Sequence, residues 1–440
     1  MRTRRDFIRS AAYSTVGFSI LGQSGALLAA PANILSKGEP LETELSKGLN
    51  RPRLDRLMKE EGIDAIIASS RNNIGYLTDM YMGMGDRFTA IQNYIIYETG
   101  NDVFSFVGEL DWSLGQLLDA DLDKVDVHLS DGAWYNSFHG ELTERDQKMI
   151  ELMERNYSPA LDPGDTGALI EAIRAKNLGD AVVGVEDKMS MNALEAIRVE
   201  FPKIQIKNAH ELLVSTRSVK NAYELEIIRR ATKISYDALE ETHHSLNAGM
   251  SAAEIMDLLS HNMKKRGSSA TGVSADLGTY PCREDNYKLK RGDLVVLDAV
   301  NSVDRRYGDL AMSRVFDGKA SDRLLNSHKA LANGIQACVD TARPGITISD
   351  LCIAIEKGVQ EYYPGYSRSR NVFGHSLGVE CPELPILTIG NQTILEPGMT
   401  LNPDILVYDY GLYMLLSENT IIVTEKGSEL ITPIEQSIYG

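Results

Sequence analysis

The chain of 440 residues is long enough for two domains. It is 43% hydrophobic and 24% charged, the balance of an ordinary globular protein. A formal net charge of −17, with no Lys/Arg-rich run beyond the first ten residues, argues against a phosphate-binding footprint and so against nucleic acid as a partner.

The N-terminus departs from this acidic character. "TRRDFIRS" is followed by the weakly apolar "AAYSTVGFSILGQSGALLAA" and then "PA". A charged region, a short apolar stretch and a small-residue end make a secretory signal over residues 1–32. The adjacent Arg4 and Arg5, with Phe7 two residues on, resemble a twin-arginine export signal. A membrane anchor is the alternative, but the segment is short and rich in Gly and Ser, which favours cleavage after Ala32. The expectation is export to the periplasm or beyond, with no stable membrane span after processing. Residues 33–48 read as a polar leader.

From 49 to 215, helical and strand patterns alternate. "LDRLMKEEGIDAIIASS" reads as helix, turn and strand; "NYIIYE" and "VFSFVGE" read as strands. "DQKMIELMERNY" and "GALIEAIRAKNLG" read as helices, and "AVVGVE" as a strand. This is the pattern of an α/β domain. The Met-rich "DMYMGMGDR" reads as a loop or packing filler. A boundary is expected near 213–220. There "HELLVSTRSVKN" leads into a long helix with Leu225, Ile228, Ala231, Ile234 and Ala238 on one face. His243 and His244 are expected to face solvent at its end.

The remainder, 216–440, contains an internal repeat. "SLNAGMSAAEIMDLLSHNMKKRG" resembles "TARPGITISDLCIAIEKGVQEYYPG", with Gly249 matching Gly345 and Ser251 matching Thr347 as helix caps. Each unit then reaches a Gly-initiated strand, "LKRGDLVVLD" and "LEPGMTLNPD". Gly292 and Gly398, and Asp298 and Asp404, are each 106 positions apart. A second acid follows each strand: Asp309 in the first unit and Glu418 in the second. One supersecondary unit used twice implies a pseudo-twofold axis with equivalent strand ends converging on it. Four carboxylates brought together repel one another unless a cation offsets them. His375, in "FGHSLG", is the Gly-flanked histidine of this half. Four carboxylates and an imidazole suit a pair of hard to borderline divalent ions such as Mn, Co, Fe or Zn. The four cysteines, Cys282, Cys338, Cys352 and Cys381, form no CxxC pair, so a structural zinc site is not expected. Cys282 and Cys381 are expected to flank the same cleft, as a disulfide or as a thiol beside the ions, with two unrelated buried thiols as the alternative.

At these residues the chain resembles the creatinase, aminopeptidase P, prolidase and methionine aminopeptidase superfamily. "EEGIDAIIASSRNNIGYLTD" resembles its creatinase-type N-terminal domain. "TRSVKNAYELEIIRRA", "GDLVVLD", "GHSLGVE", "LEPGMTL" and "SENTIIVTEKG" follow in the family's order. The resemblance implies an α/β (α+β) protein. A smaller N-terminal α/β domain would precede a pita-bread catalytic domain with the internal pseudo-twofold repeat. It also implies a homodimer and two divalent metal ions, manganese foremost. Asp298, Asp309, His375, Asp404 and Glu418 are the ligands by position, with Asp404 and His375 catalytic and Asp404 moving the proton. Arg87, in a segment that in this family can approach a partner's site, Cys282 and Glu380 are the substrate-contact candidates. Glu380 and Glu383 also read as surface acids.

The chain departs from the family's pattern at several of these positions. The family's arginine three residues after the second Asp stands five after Asp309, as Arg314. Anchoring on Arg314 would put Ala311 at the ligand position, and an insertion or bulge would restore Asp309. The first Glu of the family becomes Asp404, followed by Ile405 where a proline is usual. Two substrate histidines are replaced, by Cys282 and Pro382. Three functions follow as expectations. The first is an Xaa-Pro peptidase-type metallohydrolase acting on a small peptide. The second is a creatinase-like, metal-free or non-peptidase enzyme acting on a small C–N compound. The third is a non-catalytic protein on the same fold.

Overall fold

A computed structural model describes residues 47–80, 93–109, 117, 124–130, 140–156, 165–281, 286–364, 366 and 372–439. The expected signal peptide, most of the leader, Arg87 and Cys282 lie outside the described residues.

The first helix, α1 (Arg51–Glu61), forms because Leu54 and Met58, one turn apart, bury a single stripe. The Asn50 side chain caps its start, and Gly62, at φ +60°, stops it in the left-handed conformation. The chain then enters β1 (Ala65–Ala68), α2 (Arg71–Thr78), β2 (Tyr94–Glu98), β3 (Phe104–Glu109) and β4 (Val125–Ser130). Next come α3 (Glu144–Asn156), α4 (Asp165–Ala175), β5 (Val182–Val185), α5 (Met191–Glu200), β6 (Gln205–Asn208) and α6 (His210–Ser218). The strands make one mixed sheet in the order β4-β3-β2-β1-β5-β6, with β1 antiparallel to β2 and parallel to β5. Its central strands β1 and β2 are apolar from Ala65 to Ala68 and from Tyr94 to Tyr97 because both faces are covered. Ile66, Ala68, Ile95 and Tyr97 pack with Leu54, Met58 and Ile74 of α1 and α2. Ala65, Ile67, Tyr94 and Ile96 pack with Leu169, Ile173, Ala193 and Ile197 of α4 and α5.

The second half starts with α7 (Ala222–His244), set by a capping box between Asn221 and Glu224, and α8 (Ala252–Lys264). Contrary to the sequence reading, Leu225 is only half-buried, while Glu224 is buried and ion-paired to the equally enclosed Arg306, at 2.9 Å. A strong partner across the interface explains why a charged position sits on the inner face. His243 also differs: its Nε2 is enclosed without a partner, and burial pushes the ring down to about 3.

Three antiparallel strands follow, β7 (Ala270–Leu277), β8 (Leu294–Val303) and β9 (Arg306–Val315). Then come α9 (Asp322–Thr341), α10 (Ile348–Tyr362), β10 (Gly374–His375), β11 (Thr400–Asp409), β12 (Tyr413–Glu418), β13 (Ile421–Val423) and β14 (Ser428–Leu430). The repeat is visible in the backbone. Gly249 and Gly345 both sit at φ +91°, and Gly292 and Gly398 both at +89°. Ser251 and Thr347 cap the corresponding helices α8 and α10. Helices α7 and α8 cover the back of β7–β9 through Ala231, Ile255, Leu297 and Leu310. Helices α9 and α10 cover the back of β11–β12 through Leu331, Ile355, Ile405 and Leu415. The two sheets meet where β9 lies beside β12, joined by the Ser313 hydroxyl, which donates to the Leu416 carbonyl at 2.6 Å. The faces turned away from the helices form the front of the molecule's second half.

Two strand limits differ from the sequence reading. Strand β8 does not stop at Asp298 but continues to Val303, and Glu418 is the last residue of β12 rather than lying beyond a strand. Both acids are therefore held in ladders instead of loops. The β8–β9 register is unbroken from Leu294↔Val315 to Val303↔Arg306, so no bulge is present.

Candidate metal centre

Strand periodicity puts the acids on the front face. Asp298 is the fifth residue of β8 and Asp404 the fifth of β11. Each follows four buried positions in a strand with the same order of buried and half-buried residues over its first eight. Asp309 comes from β9 and pairs with Val300; Asp404 stands directly opposite Glu418 across the β11–β12 ladder. Opposed like charges on neighbouring strands destabilise a sheet.

His375 reaches the same point from β10. The Gly374 preceding it has φ +135°, and a Cβ there would fall 2.0 Å from the Asn402 carbonyl oxygen, so only glycine brings this strand close enough. The ring Nδ1 meets the Ser376 carbonyl at 2.8 Å. A carbonyl only accepts, so Nδ1 carries the proton and the Nε2 lone pair is free. Nε2 lies 3.6 Å from Asp309 Oδ2 and 3.6 Å from Glu418 Oε1.

Within this cluster the donor atoms group three at a time. Asp298, Asp309 and Glu418 form one group; His375, Asp404 and Glu418 form another; Asp309, His375 and Cys381 form a third. Each group's atoms all lie within 4.8 Å of one another. The Oδ1 atoms of Asp298, Asp309 and Asp404 are buried without a hydrogen-bond partner. A buried carboxylate oxygen without a donor costs several kcal/mol unless a cation meets it. Three such atoms in one cluster, with a free imidazole nitrogen, fit divalent cations. Electrostatics agree. Burial first, then the Asp404 charge, pushes Asp298 up to about 6. Burial and then Asp298 push Asp309 up to about 7. Burial raises Asp404, and burial with the three Asp charges holds Glu418 well above the usual carboxylate range.

The structure brings Asp298, Asp309, His375, Asp404 and Glu418 together. Ala311 is not part of the cluster. It faces Asp298 across the ladder and packs in the apolar core at 2% exposure. Arg314 points elsewhere, held by Glu435 at 2.6 Å and by Glu240. Glu380 is no free surface acid: Arg217 donates to it at 2.7 Å and Asn72 at 2.6 Å. Glu383 is buried, with Lys220 at 2.8 Å and Arg217 at 3.3 Å.

Sequence reasoning missed two contributors. Asn402, two residues before Asp404 and so on its face, donates to Glu418 Oε1 at 2.5 Å. Lys220, fully enclosed, fixes Glu383 and Ser376 at the base of the loop after His375. Cys381, expected at the cleft as a disulfide partner or as a thiol beside the ions, sits in the cluster itself as a free thiol. The signal for Asn402 was its i−2 spacing. Nothing local marked Lys220, because its partner is 163 residues away.

With this geometry in hand, residues 226–425 match the profile of metallopeptidase family M24. The second half of this chain is an M24 domain. YkvY of Bacillus subtilis (strain 168), assigned as a dipeptidase, is 23% identical over 395 residues, covering 86% of this chain and 96% of that protein. Ectoine hydrolase of Halomonas elongata is 27% identical over 147 residues, covering 32% of this chain and 36% of that enzyme. The crystal structure of an X-Pro aminopeptidase from Thermotoga maritima superposes with a TM-score of 0.67 at 20% identity. It covers 88% of this chain and 99% of that one. The creatinase–prolidase resemblance and the pita-bread architecture both stand. The M24 domain supplies all five clustered donors.

Proposed function

We propose that this chain is a metal-dependent hydrolase of the Xaa-Pro aminopeptidase or dipeptidase type, cleaving a peptide amide bond with a metal-activated water. The observation that carries this reading is the cluster of four carboxylates and one imidazole with three buried, unpartnered oxygens. Asp298, Asp309 and Glu418 would hold one ion; His375, Asp404, Glu418 and Asp309 would hold the other. When bound, two divalent ions lower the pKa of a water and polarise the scissile carbonyl.

The protein's own groups do the rest. His375, locked by the Ser376 carbonyl, presents Nε2 without rotation. Asn402 holds one oxygen of Glu418 and leaves the other free to reach the ions. Asp404, half-buried at the centre and raised in pKa, takes the proton from water and returns it to the leaving nitrogen. The enclosing sheets keep bulk water from the acids, which strengthens every charge interaction there.

The replacement of a family histidine by Pro382 favours a second reading, hydrolysis of a small non-peptide C–N substrate in the same centre. Elemental analysis of purified protein, with hydrolysis of Xaa-Pro dipeptides and tripeptides after adding Mn, Co or Zn, decides between them. Bound metal with peptide turnover supports the first reading. Bound metal without it supports the second, and no bound metal removes the metallohydrolase. Export through the twin-arginine route, a homodimer and a substrate contact from Arg87 complete the proposal; their support is the sequence pattern and the family resemblance.

A further inference from the structure

The loop after His375 turns back on itself. Ser376 and Glu383 exchange backbone hydrogen bonds at 3.1 and 2.8 Å, closing a loop whose penultimate residues are Cys381 and Pro382. Lys220 and Arg217 clamp the Glu383 side chain from behind. The closure returns the Cys381 thiol to the acid cluster, where Sγ donates to Asp309 Oδ2 at 2.9 Å. That same oxygen is 3.6 Å from His375 Nε2. The Sγ atom, a carboxylate oxygen of Asp309 and a ring nitrogen of His375 lie within 4.8 Å of one another, ligand spacing for one ion. Asp309 is 4% exposed, and its other oxygen has no partner. Cys381 is a free thiol and is unlike Cys338 and Cys352, which sit fully buried among apolar side chains.

We propose that Cys381 is a sixth protein ligand of this centre. It binds as a thiolate to the ion on the His375 side and makes that position select zinc, cobalt or ferrous ion over manganese. The proposal rests on reading the acid cluster as a metal site. As the ion binds, the S–H bond breaks, the sulfur electron pair forms the metal–sulfur bond and the proton leaves to solvent. No group is oxidised or reduced. A thiolate is a soft donor; manganese prefers carboxylate, carbonyl and water oxygens, whereas zinc and cobalt accept sulfur readily. The carboxylates on the opposite side, Asp298, Asp309 and Glu418, present oxygen alone, so the two positions of the centre differ in the ions they prefer.

The test titrates the metal-free full chain with cobalt(II). Wild type is expected to show visible d–d bands together with a near-ultraviolet thiolate-to-cobalt charge-transfer band. Cys381→Ser keeps the d–d bands and loses the charge-transfer band, while Cys282→Ser keeps both. Zinc affinity in Cys381→Ser falls by more than the roughly tenfold that removal of a group supporting a ligand costs, with manganese affinity little changed. A zinc X-ray absorption spectrum of wild type, which needs no variant, shows a sulfur neighbour at about 2.3 Å. Visible bands without charge transfer, or zinc with nitrogen and oxygen neighbours alone, overturn the role of Cys381 and leave the metal centre standing. Loss of the charge-transfer band in Cys282→Ser alone overturns it as well. Absence of any cobalt spectrum overturns both the proposal and the metal reading beneath it.

Discussion

Removing one acid from the centre should stabilise the metal-free protein. Asp298 is held at about 6, above its ordinary value of 3.8, chiefly by burial and then by Asp404. A folded-state pKa above the unfolded one means the folded state binds the proton more tightly. Ionisation therefore opposes folding, weakly at pH 4 and fully above pH 6. The rise corresponds to about 3 kcal/mol at pH 8 and to well under about 1 kcal/mol at pH 4. Asp298→Asn removes that penalty and keeps the size of the side chain. With chelator present, the variant is expected to exceed wild type by about 3 kcal/mol at pH 8 and to match it at pH 4.

Metal should erase the gap. At 1,000 times the wild-type Kd, an ion stabilises wild type by about 4 kcal/mol; a variant binding 100-fold more weakly gains about 1.4 kcal/mol. The difference cancels the variant's advantage at pH 8. Urea midpoints at the two pH values, with chelator and with zinc, measure all four quantities. A variant less stable than wild type at pH 8 in chelator would refute the reasoning, because Asp298 would then be satisfied without an ion.

His375→Ala and Glu418→Ala are each expected to lower kcat/KM by about 100-fold or more, beyond what loss of a group behind a ligand costs, with far-ultraviolet circular dichroism unchanged. Wild-type turnover at saturating metal in either variant would show that these residues are not ligands. Lys220→Met leaves Glu383 buried beside Arg217 alone and is expected to cost about 3 kcal/mol in urea unfolding. Adding Glu383→Gln should restore part of it. Replacing Arg4 and Arg5 by lysines should leave precursor in the cytoplasm, read by fractionation and immunoblot; unchanged export would exclude the twin-arginine route.

Much of the second half was legible because its signals are short-range or repeated. Gly292 and Gly398 announced equivalent strands, and the positions of Asp298 and Asp404 followed from a shared offset. Asp309 needed no bulge: its ligand face follows from the hairpin register with β8, whereas Arg314, the anchor that suggested Ala311, belongs to a separate ion pair. What stayed hidden depends on contacts far apart in sequence. Nothing in the sequence marked Glu224 as buried, because its partner Arg306 is 82 positions away. Glu380 and Glu383 looked like surface acids because Arg217 and Lys220 come from the other side of a helix start. His243 was expected to face solvent at a helix end, yet its Nε2 is enclosed.

These long-range pairs give the centre its rigidity. His375, Cys381 and Glu383 lie on one closed loop, and the cations that hold that loop come from α6 and the turn before α7. Asn72 and Asn73 of α2 extend the same network, Asn72 donating to Glu380 and Asn73 accepting from Arg217 at 2.8 Å. The first half of the chain therefore braces the imidazole and thiol side of the centre. Among the described residues, the Asp298 side is held by its own sheet, the helices behind it and, at the far end of its hairpin, the Arg305–Asp79 ion pair. A ligand set held within a few tenths of an ångström needs support of this kind. A loosened network should thus weaken the His375-side ion first and leave the Asp298-side ion bound. Arg217→Met is the direct probe: one of two equivalents of cobalt should be lost, and with it the thiolate band, before any change in the unfolding midpoint of the Asp298-side holoprotein. Equal weakening of both ions would show that the network serves stability alone.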